Sequence, residues 1–289
     1  MNGILLIDKP EGWTSHDVVA KLRSALGEKR IGHSGTLDPM ATGLLVVFLG
    51  RATRAAAFAE ADEKTYLAQL RLGMCTDTQD TSGAVLEEKP VDITYNQFQE
   101  ALSKFTGEIE QLPPMYSAIK VGGKKLYELA RKGKEVERKT RKITVFELSD
   151  HGVSGNDYSL KIRCSKGTYI RTLCSDIGDY LGCGGCMAAL RRTKAGVFYL
   201  ENAHTLEEVI SAASEGKASQ MLLPTDTLFA GYEKVTLTQP QEKQVRDGGA
   251  FSISIPEGTY RSYSSSGEFL ALSSVTDGVL STIKSFYEV

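Results

Sequence analysis

Tryptophan, histidine and long hydrophobic runs are scarce in this sequence. Its 289 residues include one Trp and four His. No apolar run approaches the roughly 20 residues that a membrane-spanning helix requires, which excludes such a helix. The segment from Met1 to Asp8 carries no basic residues and reaches an acidic one too early for a signal peptide. We therefore expect a cytoplasmic protein with no membrane partner.

The cysteines number five, and an odd count fits reduced thiols better than a disulfide framework. Cys183 and Cys186 form a C-x-x-C pair, a spacing typical of zinc or redox sites. Zinc would need two further ligands, and Cys164 and Cys174 do not form a second such pair. We predict no metal site and keep zinc or redox chemistry at Cys183 and Cys186 as the less favoured alternative.

Several enzyme motifs are incomplete. No Gly-Lys-Ser/Thr tripeptide of a phosphate-binding P-loop is present. The segment from Gly32 resembles a nucleophile elbow, but Thr36 replaces its last glycine. Ser117 and Lys120 have the S-x-x-K spacing without the partner motifs of that enzyme class. These mismatches leave a different residue of the same loop, Asp38, as the candidate nucleophile or acid.

The loop from Gly32 to Gly43 is the most informative stretch. Three glycines and Pro39 give it unusual backbone freedom at some positions and rigidity at another. It holds His33, Ser34 and Asp38, and the apolar run Leu44–Leu49 that follows predicts a buried strand. Polar side chains in a loop against a rigid strand are typical of active sites. A tight turn in which Asp38 caps backbone amides is equally compatible with the spacing.

Charge is unevenly distributed along the chain. The formal net charge is −2, yet residues 120–142 contain ten Lys or Arg and three Glu, a net charge of +7. We call this segment the basic strip. A concentrated basic region on a mildly acidic body favours contact with phosphate groups, as in RNA. A solvated helix with flanking loops is the alternative.

Helical and strand patterns alternate over the first three quarters of the chain. Strands are predicted at Gly3–Asp8 and Thr65–Leu72, and a helix at Asp17–Leu26 with Ser15 as its N-cap. Strands separated by helices and short turns indicate a mixed α/β sheet in the α+β class. From about residue 226 onward, short β-prone runs separated by Gly and Ser suggest a small β-barrel or sandwich.

Motifs in the first 195 residues resemble those of the bacterial tRNA pseudouridine synthase B family. The loop Gly32–Gly43 is similar to the catalytic-aspartate motif of that family. Further similar segments follow in the family's order: Leu6–Pro10, Gly12–Ser15, Lys64–Tyr66, Gly73–Gly83, Pro114–Ala118, Cys164–Arg171, Leu181–Gly184 and Leu190–Arg192. The last quarter carries little of the resemblance.

The resemblance implies a fold, a domain organisation and a reaction. It implies a catalytic domain over residues 1–225, with a thumb-like basic insertion at about 114–142, and a PUA-like RNA-binding β-domain over 226–289. The reaction is the isomerisation of uridine to pseudouridine in the T-loop of tRNA, at position 55 of the tRNA. This chemistry needs no cofactor. We expect the T stem-loop of tRNA as the partner and a monomeric protein.

The resemblance also assigns site residues. It implies that Asp38 is the catalytic carboxylate, that Arg171 lies beside it and offsets the effect of burial on its charge, and that Tyr66 packs on the uracil. Tyr169 and Leu190 would line the uridine pocket, His33 would lie against the extruded nucleotide, and Lys9 would act near the site, structurally or on phosphate. The RNA backbone would meet the basic strip at Lys124, Lys125, Arg131 and Lys132.

Two other functions remain as alternatives. The first is a catalytically silent protein of the same fold that binds or folds tRNA. The second is a Ser- or Asp-dependent hydrolase built on the loop Gly32–Gly43, in which Ser34 would be needed. The presence of Asp38, Tyr66 and Arg171 together favours the RNA-modifying isomerase over both.

Overall fold

The computed structural model describes residues 1–60, 63–117, 119–130 and 132–287. Within these residues the α-helices, in chain order α1 to α7, are Ser15–Leu26, Ala56–Glu60, Tyr95–Lys104, Leu126–Ala130, Ile170–Tyr180, Leu206–Ser214 and Gln239–Arg246. The strands, in chain order β1 to β19, are Gly3–Lys9, Ile31–Ser34, Thr42–Leu49, Lys64–Leu72, Met74–Thr76, Val85–Glu88, Gly107–Gln111, Lys120–Val121, Lys124–Lys125, Arg141–Ser154, Asp157–Cys164, Gly185–Ala195, Phe198–Tyr199, His204–Thr205, Glu233–Thr236, Phe251–Ser252, Gly258–Tyr263, Phe269–Thr276 and Val279–Ser285.

A large mixed sheet organises residues 3–205. Its main path runs β14-β1-β3-β12-β4-β11-β10-β7, with β2 paired to β3 and β13 to β12. The β1–β14 and β3–β12 pairs are parallel, and the other pairs in this sheet are antiparallel. The predicted mixed α/β sheet is confirmed.

The strands β1 and β3, second and third along this path, are buried on both faces. Leu45, Val47 and Leu49 of β3 pack with α1 and α6, whereas Val46 and Phe48 pack on the opposite face. A strand with no solvent-facing side needs apolar residues at every position rather than at alternate ones. This explains why β3 appears in the sequence as an unbroken apolar run.

Helices α3 and α5 cover a neighbouring part of the same sheet. Phe98 and Leu102 of α3 and Leu173 and Ile177 of α5 form one core with inward-facing residues of β4, β11 and β10. The helical spacing of these residues predicts both helices, and the structure confirms them. Packing on this core fixes the first turn of α5, which carries Arg171.

The N-cap of α1 differs from the prediction. Thr14, not Ser15, caps the helix, because its hydroxyl accepts from the Asp17 amide and the Asp17 carboxylate accepts from the Thr14 amide. Ser15 is fully buried, and its hydroxyl bonds to the backbone of Leu37. Because Thr14 rather than Ser15 caps α1, the Ser15 hydroxyl is free to bond to Leu37 and hold the loop immediately before Asp38.

The last part of the chain forms a separate five-stranded sheet of order β15-β17-β18-β19-β16. Phe229, Phe269 and Phe286 pack together and join this sheet to the core beside β1 and β3. The β-rich C-terminal module is confirmed, whereas its boundary at residue 226 stays a prediction. The sequence does not predict helix α7, because Val245 is its only buried residue and gives no apolar period.

The basic strip contains little regular structure. Strands β8 and β9 form a two-stranded hairpin, α4 is a single short turn of helix, and regular structure resumes where β10 begins at Arg141. Among the described residues, no helix is both long enough and apolar enough to cross a membrane.

Candidate active site

A cleft of about 1500 Å³ lies where the loop between β2 and β3 meets β4, β12 and the start of α5. Its lining includes Asp38, Tyr66, Asp80, Tyr169, Arg171, Leu190 and Arg192. A second cavity of about 650 Å³ lies between Leu6, Phe198 and His204, and no predicted site residue lines it. The cleft therefore collects most of the side chains that the sequence singles out.

Asp38 and Arg171 are in direct contact in this cleft. The Asp38 Oδ2 atom lies 3.0 Å from Arg171 Nε. Burial raises the pKa of the Asp38 carboxyl, the Arg171 guanidinium opposes the rise, and the nearby Asp80 charge adds to it. The Asp38 side chain is still 39% exposed, whereas that of Arg171 is 7% exposed. The Asp38 carboxylate is thus accessible from the cleft, and the buried Arg171 side chain holds it in position.

Arg171 is held by several groups besides Asp38. Its Nη1 atom donates to the Thr78 carbonyl at 3.0 Å and lies 3.6 Å from the Asp80 carboxylate. Its Nη2 atom donates to the Tyr116 carbonyl at 2.7 Å. Because a guanidinium is planar and donates in fixed directions, these contacts leave it little freedom.

Asp80 is a site residue that the sequence does not single out. Its side chain is 5% exposed, and its Oδ1 atom accepts hydrogen bonds from the Thr78 hydroxyl and from the amide and hydroxyl of Ser82. These donors fix the carboxylate in a tight turn, with its other oxygen toward Arg171. Asp80 lies within the segment Gly73–Gly83 that resembles the family, but its residue type alone does not distinguish it from a turn aspartate.

The loop that carries Asp38 is fastened on both sides of that residue. The Ser15 hydroxyl accepts from the Leu37 amide and donates to the Leu37 carbonyl. The Lys9 ammonium donates to the carbonyls of Pro10, Trp13 and Pro39. Burial lowers the pKa of Lys9 to about 8. Of the two predicted roles for Lys9, these contacts correspond to the structural one.

Tyr66 and Arg192 both line the cleft. They are cross-strand partners of β4 and β12. Burial raises the pKa of Tyr66, and Arg192 opposes the rise through its charge and a hydrogen bond. Arg192 is 1% exposed. The sequence places it only among the basic residues of a family-like segment and gives no sign that it is buried.

The predicted apolar walls also lie at the cleft. Leu190 is 8% exposed on β12, two residues before Arg192. Tyr169 precedes the first turn of α5, and its backbone amide and carbonyl both bond to the buried Gln111 amide of β7. These two hydrogen bonds fix the backbone of Tyr169 and so set the position of the start of α5, which carries Arg171.

His33 lies beside the cleft rather than in its lining. Its ring meets the ring of His16 edge-on at 5.3 Å, and it is His16 that lines the cleft. Burial, and the proximity of His16 and Arg192, lower the pKa of His33 to about 4. His33 is therefore neutral at pH 7. Its predicted contact with an extruded nucleotide stays a prediction.

The residues predicted to meet the RNA backbone are only partly described. Lys124 and Lys132 are exposed, whereas Arg131 and the side chain of Lys125 lie outside the described residues. Arg141 and Lys142, the last two residues of the basic strip, line the cleft itself, as does Lys166. Positive charge therefore extends from the basic strip to the edge of the site.

Ser34 and the C-x-x-C pair lie apart from this chemistry. Ser34 is buried in β2, where it pairs with Val46 of β3. Cys183 and Cys186 are buried free thiols, and burial raises the pKa of Cys186 to about 11. Protonated, buried thiols of this kind act as packing residues.

Comparison with known proteins identifies the family of this chain. Residues 23–170 match the model of the TruB family pseudouridylate synthase N-terminal domain, and residues 171–230 match that of the tRNA pseudouridylate synthase B C-terminal domain. The chain belongs to the TruB family.

Similar proteins of this family cover most of the chain. The tRNA pseudouridine synthase B of Clostridium kluyveri is 42% identical over 99% of this chain and 100% of its own length. That of Azoarcus sp. is 48% identical over 84% of this chain and 80% of its own. A TruB-type fold is also present in a solved Cbf5-Nop10-Gar1 complex, one chain of which is 26% identical with a TM-score of 0.76, over 99% of this chain and 85% of that one.

Proposed function

We propose that this protein converts uridine to pseudouridine in tRNA, at the T-loop uridine of position 55. The contact between Asp38 and Arg171 at the base of an open cleft carries the proposal. The reaction breaks the N1–C1′ bond, turns the uracil and joins C5 to C1′. A carboxylate positioned beside the sugar can act as the nucleophile or as the base in this sequence of steps.

Each lining residue has a corresponding task. Asp38 acts on the sugar or the base, and Arg171 holds it in place and favours its ionised form. Tyr66 packs on the uracil and offers a hydroxyl for proton transfer. Tyr169 and Leu190 exclude water, so that the detached uracil stays in the pocket until the new bond forms.

The uridine must leave its stacked position to reach Asp38. Extrusion of a nucleotide costs a few kcal/mol, which protein contacts to the RNA must offset. We assign these contacts to the basic strip, including Lys124, Lys125, Arg131 and Lys132, to His33 at the edge of the cleft, and to the C-terminal module over residues 226–289. We further propose that the protein acts as a monomer in the cytoplasm.

Pseudouridine mapping tests this proposal. Purified protein is incubated with an unmodified tRNA transcript, and pseudouridine is located by carbodiimide treatment and primer extension. Modification at position 55 alone is the expected result. Tight tRNA binding without modification would instead support the silent RNA-binding alternative, and ester hydrolysis lost in Ser34→Ala would support the hydrolase.

A further inference from the structure

The guanidinium of Arg192 is buried beneath the candidate site without a carboxylate partner. Its Nε atom donates to the Leu44 carbonyl at 2.7 Å, and its Nη2 atom donates to the Gly35 carbonyl at 2.8 Å. Among the described residues, no carboxylate lies within 4.0 Å of it, whereas Arg171 contacts both Asp38 and Asp80. The positive charge of Arg192 is therefore not neutralised locally.

Burial of an unneutralised charge is unfavourable in free energy. Removing an ion from water costs several kcal/mol even after the protein relaxes. Carbonyl dipoles offset part of this cost for Arg192, but a surface-exposed arginine would avoid it altogether. The charge of Arg192 acts on Tyr66, its cross-strand partner in β4.

Tyr66 is the cross-strand partner of Arg192, and the chemistry of the two side chains sets the direction of any hydrogen bond between them. A guanidinium has only donors, so the Tyr66 oxygen must accept from Arg192. The Tyr66 hydroxyl proton is then left to point to another acceptor. Tyr66 lines the cleft, so a group bound in the cleft can serve as that acceptor.

The surrounding backbone is shaped around Arg192. A Cβ atom at Gly35 would lie 3.1 Å from Arg192 Nη1, and one at Gly43 would lie 2.3 Å from the Arg192 carbonyl oxygen. Glycine therefore leaves room for the Arg192 guanidinium at position 35 and lets the β12 backbone approach closely at position 43. The Arg192 side chain bonds to the loop that carries Asp38, and Arg192 stands opposite Tyr66 across the β4–β12 pair.

We propose that Arg192 is a positioning residue for Tyr66, whose hydroxyl it orients toward the uridine and whose oxygen it stabilises when that hydroxyl gives up its proton. This inference rests on the proposed function, because the uridine is the group that receives the hydroxyl. In the step envisaged, the phenol O–H bond breaks, its proton moves to an acceptor on the substrate, and the phenolate stays beside the Arg192 charge. The reverse transfer restores the phenol.

A double-mutant cycle with Tyr66→Phe tests whether Arg192 acts through the hydroxyl. Single-turnover rates are measured on tRNA for the native protein, Arg192→Gln, Tyr66→Phe and the double variant. We expect Arg192→Gln to slow the native protein by about 10- to 100-fold and the Tyr66→Phe protein by less than about threefold. The matched control is Arg191→Gln on the same strand, whose side chain instead pairs with the Asp8 carboxylate; it should leave the rate within about twofold.

A titration that needs no activity separates this inference from the proposed function. With 3-fluorotyrosine at position 66, fluorine NMR follows the ionisation of that side chain. Arg192→Gln should move its titration to higher pH, because the charge that favours the phenolate is gone, and Arg191→Gln should not. If Arg192→Gln does not melt cooperatively, Arg192→Lys replaces it in the rate cycle, since one ammonium cannot span all the contacts of the guanidinium.

The outcomes are distinct. Equal losses of rate in the native protein and in the Tyr66→Phe protein, or a Tyr66 titration that does not respond to Arg192→Gln, would overturn the role of Arg192. An inactive native protein in which the titration still shifts would overturn the proposed function and leave the interaction between Arg192 and Tyr66 in place.

Discussion

Asp38 and Asp80 lie on two sides of one guanidinium, that of Arg171. The first carboxylate is 3.0 Å from Nε and the second is 3.6 Å from Nη1. Asp38 faces the cleft, whereas Asp80 is enclosed by the turn that binds it. One carboxylate is thus available to a substrate, and the other holds the arginine that supports it.

Asp38→Asn should abolish turnover and leave tRNA binding within about threefold of native. The amide is isosteric with the carboxylate, but it cannot attack the sugar or take up a proton. The rate is measured by release of tritium from C5-labelled tRNA, and binding by filter retention. Turnover retained by this variant would contradict the assignment of Asp38.

Asp80→Asn should slow the reaction by about 10- to 100-fold with little loss of binding, because Arg171 loses one of its two anionic contacts. Asp80 also raises the pKa of Asp38. Removing its charge should therefore shift the acidic limb of the pH–rate profile to lower pH. Asp77→Asn, an exposed change in the same turn, is the control. A limb that stays in place would show that Asp80 does not act on Asp38 by charge.

Gly43→Ala should be far more destabilising than Gly27→Ala. Both glycines have positive φ, of 95° and 61° respectively, so both substitutions strain the backbone. A Cβ at Gly43 would also meet the Arg192 backbone, whereas nothing lies within 4 Å of one at Gly27. We expect a loss of about 1 kcal/mol at Gly27 and more than about 3 kcal/mol at Gly43, measured by urea unfolding. Similar losses at both positions would refute the close approach.

His33 should make the fold less stable in mild acid. Its pKa is about 4 in the folded protein and 6.5 when unperturbed. As the pH falls from 6.5 toward 4, the unfolded chain binds a proton that the folded chain does not, so the free energy of unfolding decreases. Allowing for partial exposure of the ring, we expect about 2 kcal/mol. Urea unfolding is measured at about pH 7 and about pH 4.5, which bracket most of this interval. The free energy of unfolding should decrease less between these two pH values for His33→Gln than for the native protein. The control is His151→Gln, a change at an exposed position, which should behave like the native protein. Equal decreases in all three would refute the low pKa.

The basic strip should determine part of the salt dependence of tRNA binding. Each phosphate contact that is lost reduces the slope of log K against log salt by about 0.7 to 0.9. Replacing Lys124 and Lys132 with alanine should therefore flatten the slope by up to about two. Lys104 and Lys217, which are exposed and lie outside the strip, provide the control double variant. An unchanged slope would remove these two lysines from the RNA interface.

The sequence predicts the elements of this fold better than the contacts among them. The run Leu44–Leu49 predicts a buried strand because both of its faces are apolar, and the periods of α3 and α5 predict those helices. Helix α7 has no such period, and the predicted cap of α1 is wrong by one residue. Local patterns report which side of an element is buried, so an element with almost no buried side is missed.

The sequence likewise predicts some residues of the candidate site and misses others. Resemblance to the family supplies the contact between Asp38 and Arg171, which no spacing rule could supply across residues so far apart. The sequence does not single out Asp80 and Arg192, because their roles depend on which strands become neighbours. A charged residue type usually indicates exposure, and the sheet order that buries Arg192 is set by pairings over the whole domain.

The parallel pairing of β3 with β12 has a consequence for biosynthesis. Arg192 binds the Leu44 carbonyl from 148 positions further along the chain. A nascent polypeptide can complete α1, β2 and β3 early, but the loop between β2 and β3 acquires its contact with Arg192 only after β12 has left the ribosome. Because such a distant pairing is slow to form, catalytic competence should appear late in translation, when most of the large sheet has already emerged.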